Sequence, residues 1–341
     1  MGLGHPFGNR YAPPMDDIHP SVVGGLAGEQ VTDPDVVGNI LFNQRAAKVA
    51  ILLAPNRLLR PDWRYDAAVV SATNEWLAST WLSSTHGNRF VTSIHISLGN
   101  PREAIKEIER WAGHPQFVQV AAPMHAHAPY GEQRYFEVWE AAAHHRLPVA
   151  IHGDGSGGVE LPATMGGLPN HFLDYHTLLP LGGFLHFISL VTEGVFERIP
   201  NLTLVLTDGG LSIFPELLWR LDAKARSFKD EMPWVTMRPT EYLAKHVRFV
   251  TRKDDFPSER HHLDVALRLS RADQTLLYGS NYPMWDLIDL DGEVGDIPES
   301  SRDHVLVGNA LATYPKLGVL MAKSLPQDPV PTAPPAPSST E

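Results

Sequence analysis

Residues 276–286 read LLYGSNYPMWD, and this stretch decides the predicted fold. Leu276–Gly279 has the composition of a short buried strand, which ends in small residues and then presents one polar side chain, Asn281, before an aromatic–proline turn. A short apolar run that ends in a single polar residue is how a (β/α)8 barrel places a functional group at its C-terminal mouth. We therefore expect Asn281 to lie at the mouth of a barrel.

Strand-like runs alternate with helical patterns through most of the 341 residues. This alternation predicts a parallel sheet, and the number of units favours closure into a barrel. The predicted fold class is therefore α/β, a TIM (β/α)8-type barrel over residues 49–323. The candidate strands are Val49–Leu53, Phe90–Ile96, Phe117–Ala121, Val149–His152, Leu202–Leu206, Val247–Val250 and Leu276–Gly279. The candidate helices are Asp66–Ser79, Pro101–Ala112, Glu132–His144, Phe184–Arg198, Phe214–Lys229 and Pro257–Leu269.

The predicted strands are one short of eight, and we expect the missing strand to be the first. Residues 1–48 hold prolines at 6, 13, 14 and 20, so they are interpreted as an irregular arm with a short helix near Asp33–Arg45. The simplest explanation is that this sequence begins after the first barrel strand; a barrel built without that strand is the rarer alternative. Residues 324–341 are rich in Pro, Ser and Thr and predict a disordered tail.

The composition excludes several classes of function. The net charge is −11 and no run of Lys or Arg occurs, so the chain lacks the electrostatic signature of nucleic-acid or anionic-membrane binding. Cysteine is absent, which excludes disulfides, thiolate nucleophiles and Cys-ligated zinc, and leaves the 17 histidines and the carboxylates as metal ligands. Because neither a transmembrane run nor a signal peptide is visible, we expect a cytoplasmic enzyme.

Two further polar residues follow predicted strands. His152 ends the run VAIH and precedes glycine, which lets a ligand approach the backbone closely. Asp208 follows Leu202–Leu206 in the segment TDGG, ahead of a helix that begins near Pro215. Two roles remain open for Asp208: it handles a proton or positions a water, or it caps the following helix.

The stretch from Glu193 to Asp222, EGVFERIPNLTLVLTDGGLSIFPELLWRLD, resembles the amidohydrolase-related (amidohydrolase 2) family, in its aminocarboxymuconate-semialdehyde decarboxylase-like branch. The segment SNYPMWD is similar to that family's S-D-Y-P-H-W-D in the last barrel strand. The resemblance implies a divalent metal, zinc or manganese, with His152 as one ligand and position 281 as another. It also implies an acid–base role for Asp208, where family members carry His or Glu.

The resemblance carries two departures at metal positions. Asn281 stands where the family has Asp; its amide oxygen can coordinate a metal, but it has no charge and cannot act as a base near pH 7. The ligand pair of the family's first strand has one local match, Asp17-Ile18-His19, which makes His19 a third candidate ligand. Pro13 and Pro14 argue against a buried strand before it. The metal is thus expected from the family, and its loss from this chain stays open.

Four other residues are candidates for contact with a small-molecule substrate. His125 follows the strand Phe117–Ala121, His176 lies in the insertion between two strands, His186 lies on the helix after it, and Trp285 follows Asn281. A homodimer is a further expectation, since dimers are common in the family.

Three functions remain open. The first is a metal-dependent hydrolase that acts on a small carbonyl or cyclic substrate, with Asp208 as its acid–base group. The second is a non-oxidative decarboxylase on the same barrel, which needs no base at position 281 to activate water. The third is a non-catalytic or degenerate ligand-binding relative, which the two departures at metal positions favour.

Overall fold

Seven strands form a single parallel sheet in the order of the sequence. The structure, a computed structural model, describes residues 32–54, 62–153, 172–252, 255–283 and 296–324. The strands are β1 (Ala50–Leu52), β2 (Phe90–His95), β3 (Phe117–Pro123), β4 (Val149–His152), β5 (Leu204–Leu206), β6 (Val247–Val250) and β7 (Leu276–Leu277). All seven strands coincide with predicted ones, and the described sheet has the seven strands that the sequence predicted rather than eight.

Helices follow the strands, as expected for βα units. They are α1 (Pro34–Asn39), α2 (Trp63–Trp76), α3 (Pro101–Trp111), α4 (Phe136–His144), α5 (Phe172–Thr192), α6 (Val195–Arg198), α7 (Phe214–Ser227), α8 (Pro239–His246), α9 (Arg260–Leu269), α10 (Ala272–Thr275), α11 (Glu299–Asp303), α12 (Asn309–Thr313) and α13 (Pro315–Ser324). Short π-helical segments extend α1 and α2, and one precedes α12: Ile40–Gln44, Leu77–Trp81 and His304–Gly308. In the described ranges no single helix is long and apolar enough to cross a membrane. Two consecutive helical segments, Glu299–Thr313 and Pro315–Ala322, meet that criterion only when taken together, and they are bent by 107° relative to each other.

The sheet curls around an apolar interior. One buried cluster combines side chains from β2, β3, β4, β5 and β7 with two residues near the C-terminal helix α13; its members are Val91, Val118, Ala150, Val205, Leu277, Tyr314 and Leu317. Side chains of strands this far apart in the sheet can meet only if the sheet is curved. A second, larger cluster packs the opposite faces of the strands against the surrounding helices, through large side chains such as Trp139, Phe187 and Phe249.

Helix α13 covers the N-terminal end of the curled sheet. The ammonium of Lys316 donates to the carbonyls of Ala112, His114 and Phe117 at 2.7, 3.0 and 2.8 Å. These carbonyls lie at the end of α3 and the start of β3, which fixes α13 at the end of the barrel opposite the C-terminal mouth. The C-terminal mouth is therefore the end that remains for a substrate.

The two edge strands are linked by side chains rather than by backbone pairing. In the part of the chain that the structure describes, β1 and β7 are not hydrogen-bonded to each other. Tyr282, just after β7, packs on an apolar cluster that contains Phe42 of the segment after α1 and Phe90 of β2. The guanidinium of Arg45 lies 5.9 Å from the Tyr282 ring centroid. The helix predicted near Asp33–Arg45 is thus present and packs beside this edge.

The largest departure from the sequence prediction is the length of α5. This helix was expected to begin at Phe184, but it begins at Phe172 and runs through Pro180. His176 therefore lies on a helix and not in an irregular insertion. Packing explains the difference: a Cβ on Gly182 would lie 2.8 Å from the Met124 sulfur, so this part of the helix is held tightly against the loop after β3.

Candidate active site

The carboxyl ends of the seven strands meet at one face, because all of them are parallel. In (β/α)8 barrels this is the face that carries the active site. Four residues named by the sequence lie at or just beyond these ends: His125 after β3, His152 at the end of β4, Asp208 after β5 and Asn281 after β7. The structure thus brings the polar strand-end residues to one mouth.

Asp208 is the carboxylate held most firmly at this mouth. The side chain of Asp208 is buried. Its Oδ2 accepts a hydrogen bond from the backbone N–H of Gly153 and lies 2.9 Å from the hydroxyl oxygen of Thr207. The bond to Gly153 reaches from β5 to the end of β4, so it fixes the carboxylate beside His152. Helix α7 begins six positions later, with Ile213 as its N-cap residue, and no side-chain hydrogen bond caps its N-terminus. Capping that helix is therefore not the role of Asp208.

The turn after Asp208 is braced by a second buried carboxylate. Asp255, in the loop after β6, accepts from the backbone N–H of Gly210 at 3.0 Å and from the hydroxyl of Ser212 at 2.9 Å. Burial raises the pKa of Asp255, and these hydrogen bonds partly oppose the rise. Gly209 has φ of 80°, and a Cβ there would lie 2.5 Å from the Asp255 carboxylate. The turn therefore requires glycine at position 209.

His152 presents an unpaired ring nitrogen to the mouth. His152 is half-buried. Its backbone carbonyl accepts a hydrogen bond from the backbone N–H of Met124 at 2.8 Å, which continues the pairing of β3 with β4. Its Nδ1 is buried and has no hydrogen-bond partner among the described residues. A buried polar atom without a partner is uncommon, and such an atom at a barrel mouth points to a ligand or an ordered water.

His95, at the end of β2, is a buried strand-end histidine that the sequence interpretation did not name. It is 1% exposed, and its Nε2 and Nδ1 lie 3.1 Å from the carbonyl of Ala54 and 3.3 Å from the amide oxygen of Asn74. Burial, with a smaller contribution from nearby His152 and against the hydrogen bond to Ala54, lowers the pKa of His95 to about 4. The run FVTSIH, like VAIH, belongs to a predicted strand and carries a His at its end, so part of the signal that found His152 was also present here.

His186 lies below the mouth and holds a loop in place. Its Nε2 donates to the carbonyl of Met124 at 2.7 Å, and its Nδ1 accepts from Tyr130 N at 3.3 Å. Its ring stacks on Tyr130 with centroids 3.8 Å apart. Burial, with a smaller contribution from nearby His125 and against the hydrogen bond to Met124, lowers the pKa of His186 to about 4. Because both ring nitrogens are used, His186 positions the loop that carries His125; substrate contact by His186 stays a prediction.

The remaining predicted site residues are spread more widely. His125 is half-buried in the loop after β3, and His176 lies on the first turns of α5. Asn281 adopts φ of 55°, a left-handed conformation in which Asn and Asp are enriched. Thr251 accepts from Gly279 N at 2.9 Å and so ties the end of β7 to β6 ahead of Asn281. His19 and Trp285 lie outside the described residues.

The donor set falls short of a divalent-metal site. Within the described ranges, no three His, Cys, Asp or Glu side chains are grouped so that they could hold a metal ion. His152 offers a buried ring nitrogen without a hydrogen-bond partner, while both nitrogens of His95 face backbone or amide oxygens. Asn281 adds a neutral amide where hard cations prefer a carboxylate. The described residues therefore do not fit a resident metal.

A family model described as "Amidohydrolase" matches residues 44–316. The chain belongs to this amidohydrolase family. The match covers all seven strands, and the family is one of enzymes. Its members use divalent metals. The described residues of this chain therefore differ from the family in their metal ligands, although the family model matches most of the sequence. None of the curated proteins matches the sequence.

Solved structures show the same fold. A 2,6-dihydroxybenzoate decarboxylase from Rhizobium aligns with a TM-score of 0.63 at 20% identity, over 80% of this chain and 85% of that one. A dihydroxybenzoic acid decarboxylase from Polaromonas sp. JS666, solved with manganese and the inhibitor 2-nitroresorcinol, aligns with a TM-score of 0.63 at 18% identity, over 85% and 91%. An amidohydrolase from Mycobacterium avium subsp. paratuberculosis K-10 gives a TM-score of 0.67 at 21% identity, over 84% and 74%. At these identities the likeness shows the fold.

Proposed function

We propose that this amidohydrolase-family chain is a non-oxidative carboxy-lyase that removes CO2 from a small planar carboxylic acid. The observation that carries the proposal is Asp208, a buried carboxylate that β4 and β5 together hold at the mouth. Decarboxylation requires a proton donor at the carbon that loses CO2, and Asp208 is a carboxyl group in a position to give that proton. Among the solved structures of this fold, several are decarboxylases of hydroxylated benzoic acids.

The reaction balances with the chain's own groups. The protonated Asp208 gives its proton to the substrate carbon that bears the carboxylate. The bond between that carbon and the carboxylate breaks, its electron pair forms the new C–H bond, and CO2 leaves. Asp208 is left as a carboxylate and takes a proton from solvent before the next turnover. Neither an oxidant nor a reductant is needed.

Asn281 favours this reaction over hydrolysis. Hydrolysis of a carbonyl substrate needs a base that takes the proton of the attacking water, and the amide of Asn281 cannot supply one at the end of β7. Decarboxylation consumes no water, so an amide at that position does not block it. The carbonyl hydrolase that was expected first from the sequence is the alternative that the experiment below must separate.

A carboxylate substrate also suits the charge beside Asp208. Arg252 follows β6 at the mouth, and its Cγ lies 3.1 Å from the position that a Cβ on Gly209 would take. The first carbons of its side chain therefore pack against the turn directly after Asp208. A guanidinium there can pair with a substrate carboxylate, while the His152 ring nitrogen can bond a neighbouring hydroxyl.

The test is CO2 release from a panel of hydroxybenzoic acids, beginning with 2,6-dihydroxybenzoate. We expect turnover by the wild-type chain and a loss of at least about a hundredfold in Asp208→Asn, which removes the proton donor. Asp264→Asn is the matched control, because Asp264 lies on the exposed face of α9 beside Arg260. Hydrolysis of lactones or anilides without CO2 release would replace the proposal with the hydrolase; saturable ligand binding without turnover would replace it with a binding protein.

A further inference from the structure

One hydroxyl beside Asp208 faces two acceptors. The Oγ1 of Thr207 lies 2.9 Å from the carbonyl oxygen of Ile151 and 2.9 Å from Asp208 Oδ2. The hydroxyl carries a single proton, so it can donate to only one of them at a time. The Ile151 carbonyl also accepts from the backbone N–H of Thr207 at 3.2 Å, so it keeps a partner whichever way the hydroxyl turns.

The two orientations of the hydroxyl suit the two protonation states of Asp208. When Asp208 is a carboxylate, Thr207 turns toward it and Oδ2 receives two hydrogen bonds, one from Thr207 and one from Gly153 N. When Asp208 carries a proton on Oδ1, Thr207 turns to Ile151 and Oδ2 keeps the bond from Gly153. Oδ1 has no hydrogen-bond partner among the described residues, so its proton is free to face a substrate.

We infer that Thr207 is a positioning residue for the proposed carboxy-lyase, and that its hydroxyl turns from Ile151 to Asp208 as Asp208 gives up its proton. This inference rests on the proposed function for its role in turnover. The physical advantage is that the Ile151 carbonyl and Asp208 Oδ2 each keep a hydrogen-bond partner in both states, and an unpartnered buried group is costly. The carboxylate that forms gains one hydrogen bond at the moment the proton leaves.

Other charged groups at the mouth must be separated from this effect. His95 and His152 lie at the ends of β2 and β4, and Arg252 and Asp255 lie in the loop after β6. Substituting Thr207 leaves all four in place. A comparison of Thr207→Val, which keeps the shape, with Thr207→Ser, which keeps the hydroxyl, therefore isolates the hydroxyl.

The first measurement follows the Asp208 side-chain carboxyl by 13C NMR over pH, with Asp208→Asn assigning the signal. Loss of a hydrogen bond to a carboxylate should move the midpoint of this titration upward by about one pH unit in Thr207→Val. Thr207→Ser should keep the wild-type midpoint. Thr203→Val is the control, since Thr203 lies before β5 on the same chain segment and makes no side-chain hydrogen bond to Asp208. Thermal unfolding checks that each variant is folded, and Thr207→Ala replaces the Val variant if that variant does not fold.

The second measurement is the pH profile of CO2 release with the hydroxybenzoic acid that the panel experiment identifies as the best substrate. We expect kcat of Thr207→Val to fall about tenfold or more. The alkaline limb of its profile, where Asp208 loses the proton it must donate, should be displaced upward as in the NMR titration, and Thr207→Ser should restore both. Equal midpoints in wild type and Thr207→Val would overturn the inference, as would equal displacement in the Ser and Val variants. If the wild-type chain releases CO2 from no substrate while the NMR midpoint still moves, the carboxy-lyase fails and the coupling of Thr207 to Asp208 stands.

Discussion

At the scale of single residues, the site depends on what surrounds Asp208 rather than on Asp208 alone. A carboxylate in a flexible loop would have no fixed relation to His152, whereas Asp208 is joined to β4 through Gly153 N. The turn after Asp208 is fixed by Asp255, in the loop after β6, which accepts hydrogen bonds from Gly210 and Ser212. Asp208, the proposed acid–base group, is therefore held from both sides, and each support can be tested separately.

Gly209→Ala tests the support on the Asp255 side. The new Cβ would have to occupy a left-handed backbone conformation and would meet the Asp255 carboxylate at 2.5 Å, so we expect a loss of about 2–4 kcal/mol in the free energy of unfolding. Gly113→Ala is the matched control, because a Cβ at Gly113 meets nothing within 4 Å. Urea denaturation compares the two; similar stability of both variants would mean that the turn tolerates a side chain.

Asn281→Asp tests whether the last strand still has the geometry of a metal site. Asp tolerates the left-handed φ of 55° at this position, so the turn should persist, and the new carboxylate supplies the anionic ligand that Asn281 lacks. We expect wild-type protein purified without chelators to hold zinc or manganese well below stoichiometry, and the variant to hold more. Elemental analysis measures the metal content of both proteins. His152→Asn, added to the Asn281→Asp variant, is the control and should lower its metal content to that of the wild type.

At the scale of elements, one ammonium joins the C-terminal helix to the barrel. Lys316 on α13 donates to three carbonyls near the end of α3, and burial lowers its pKa to about 8. Lys316→Met removes all three bonds, so we expect a loss of about 2 kcal/mol in the free energy of unfolding. Lys106→Met, at an exposed ion pair with Glu103, should change it by no more than about 0.5 kcal/mol. Equal effects in urea denaturation would remove Lys316 from this role.

The elements also show what the sequence could predict. The strands were found because a strand buried on both faces is a continuous apolar run, as in β5 and in the first three residues of β4. The start of α5 was missed because Pro180, Gly182 and Gly183 disfavour a helix locally. In the fold these glycines let α5 approach Met124 and Leu206, so tertiary packing outweighs the intrinsic preference.

The candidate site was predictable only in part, for a related reason. Strand-end polar residues can be found in the sequence, and that signal gave His152, Asp208 and Asn281. The partners that fix a side chain come from other strands, so neither the bond from Gly153 to Asp208 nor the brace from Asp255 has a sequence signature. For His186 the sequence correctly found a His on an apolar helix, but not that Met124 and Tyr130 use both of its ring nitrogens.

At the scale of the whole molecule, two buried histidines contribute to the loss of stability in acid. Burial lowers the pKa of His95 and of His186 to about 4, whereas an exposed His titrates near 6.5. Between these pH values the unfolded chain binds more protons than the folded one, so stability rises with pH and is lost as pH falls from about 6.5 to about 4. Each site contributes up to about 3 kcal/mol to this loss.

His186→Gln should flatten part of that acid response. A Gln amide can donate to the Met124 carbonyl and accept from Tyr130 N, as the imidazole does, but it does not titrate. The fall in unfolding free energy between pH 6.5 and 4 should therefore be smaller by about 3 kcal/mol than in the wild-type chain. His261→Gln, at an exposed position on α9, should follow the wild-type curve. Urea denaturation at pH 7, 6, 5 and 4 measures the three curves; if the His186 variant is as acid-sensitive as the wild type, His186 is not buried in its neutral form and the loop after β3 is held by other contacts.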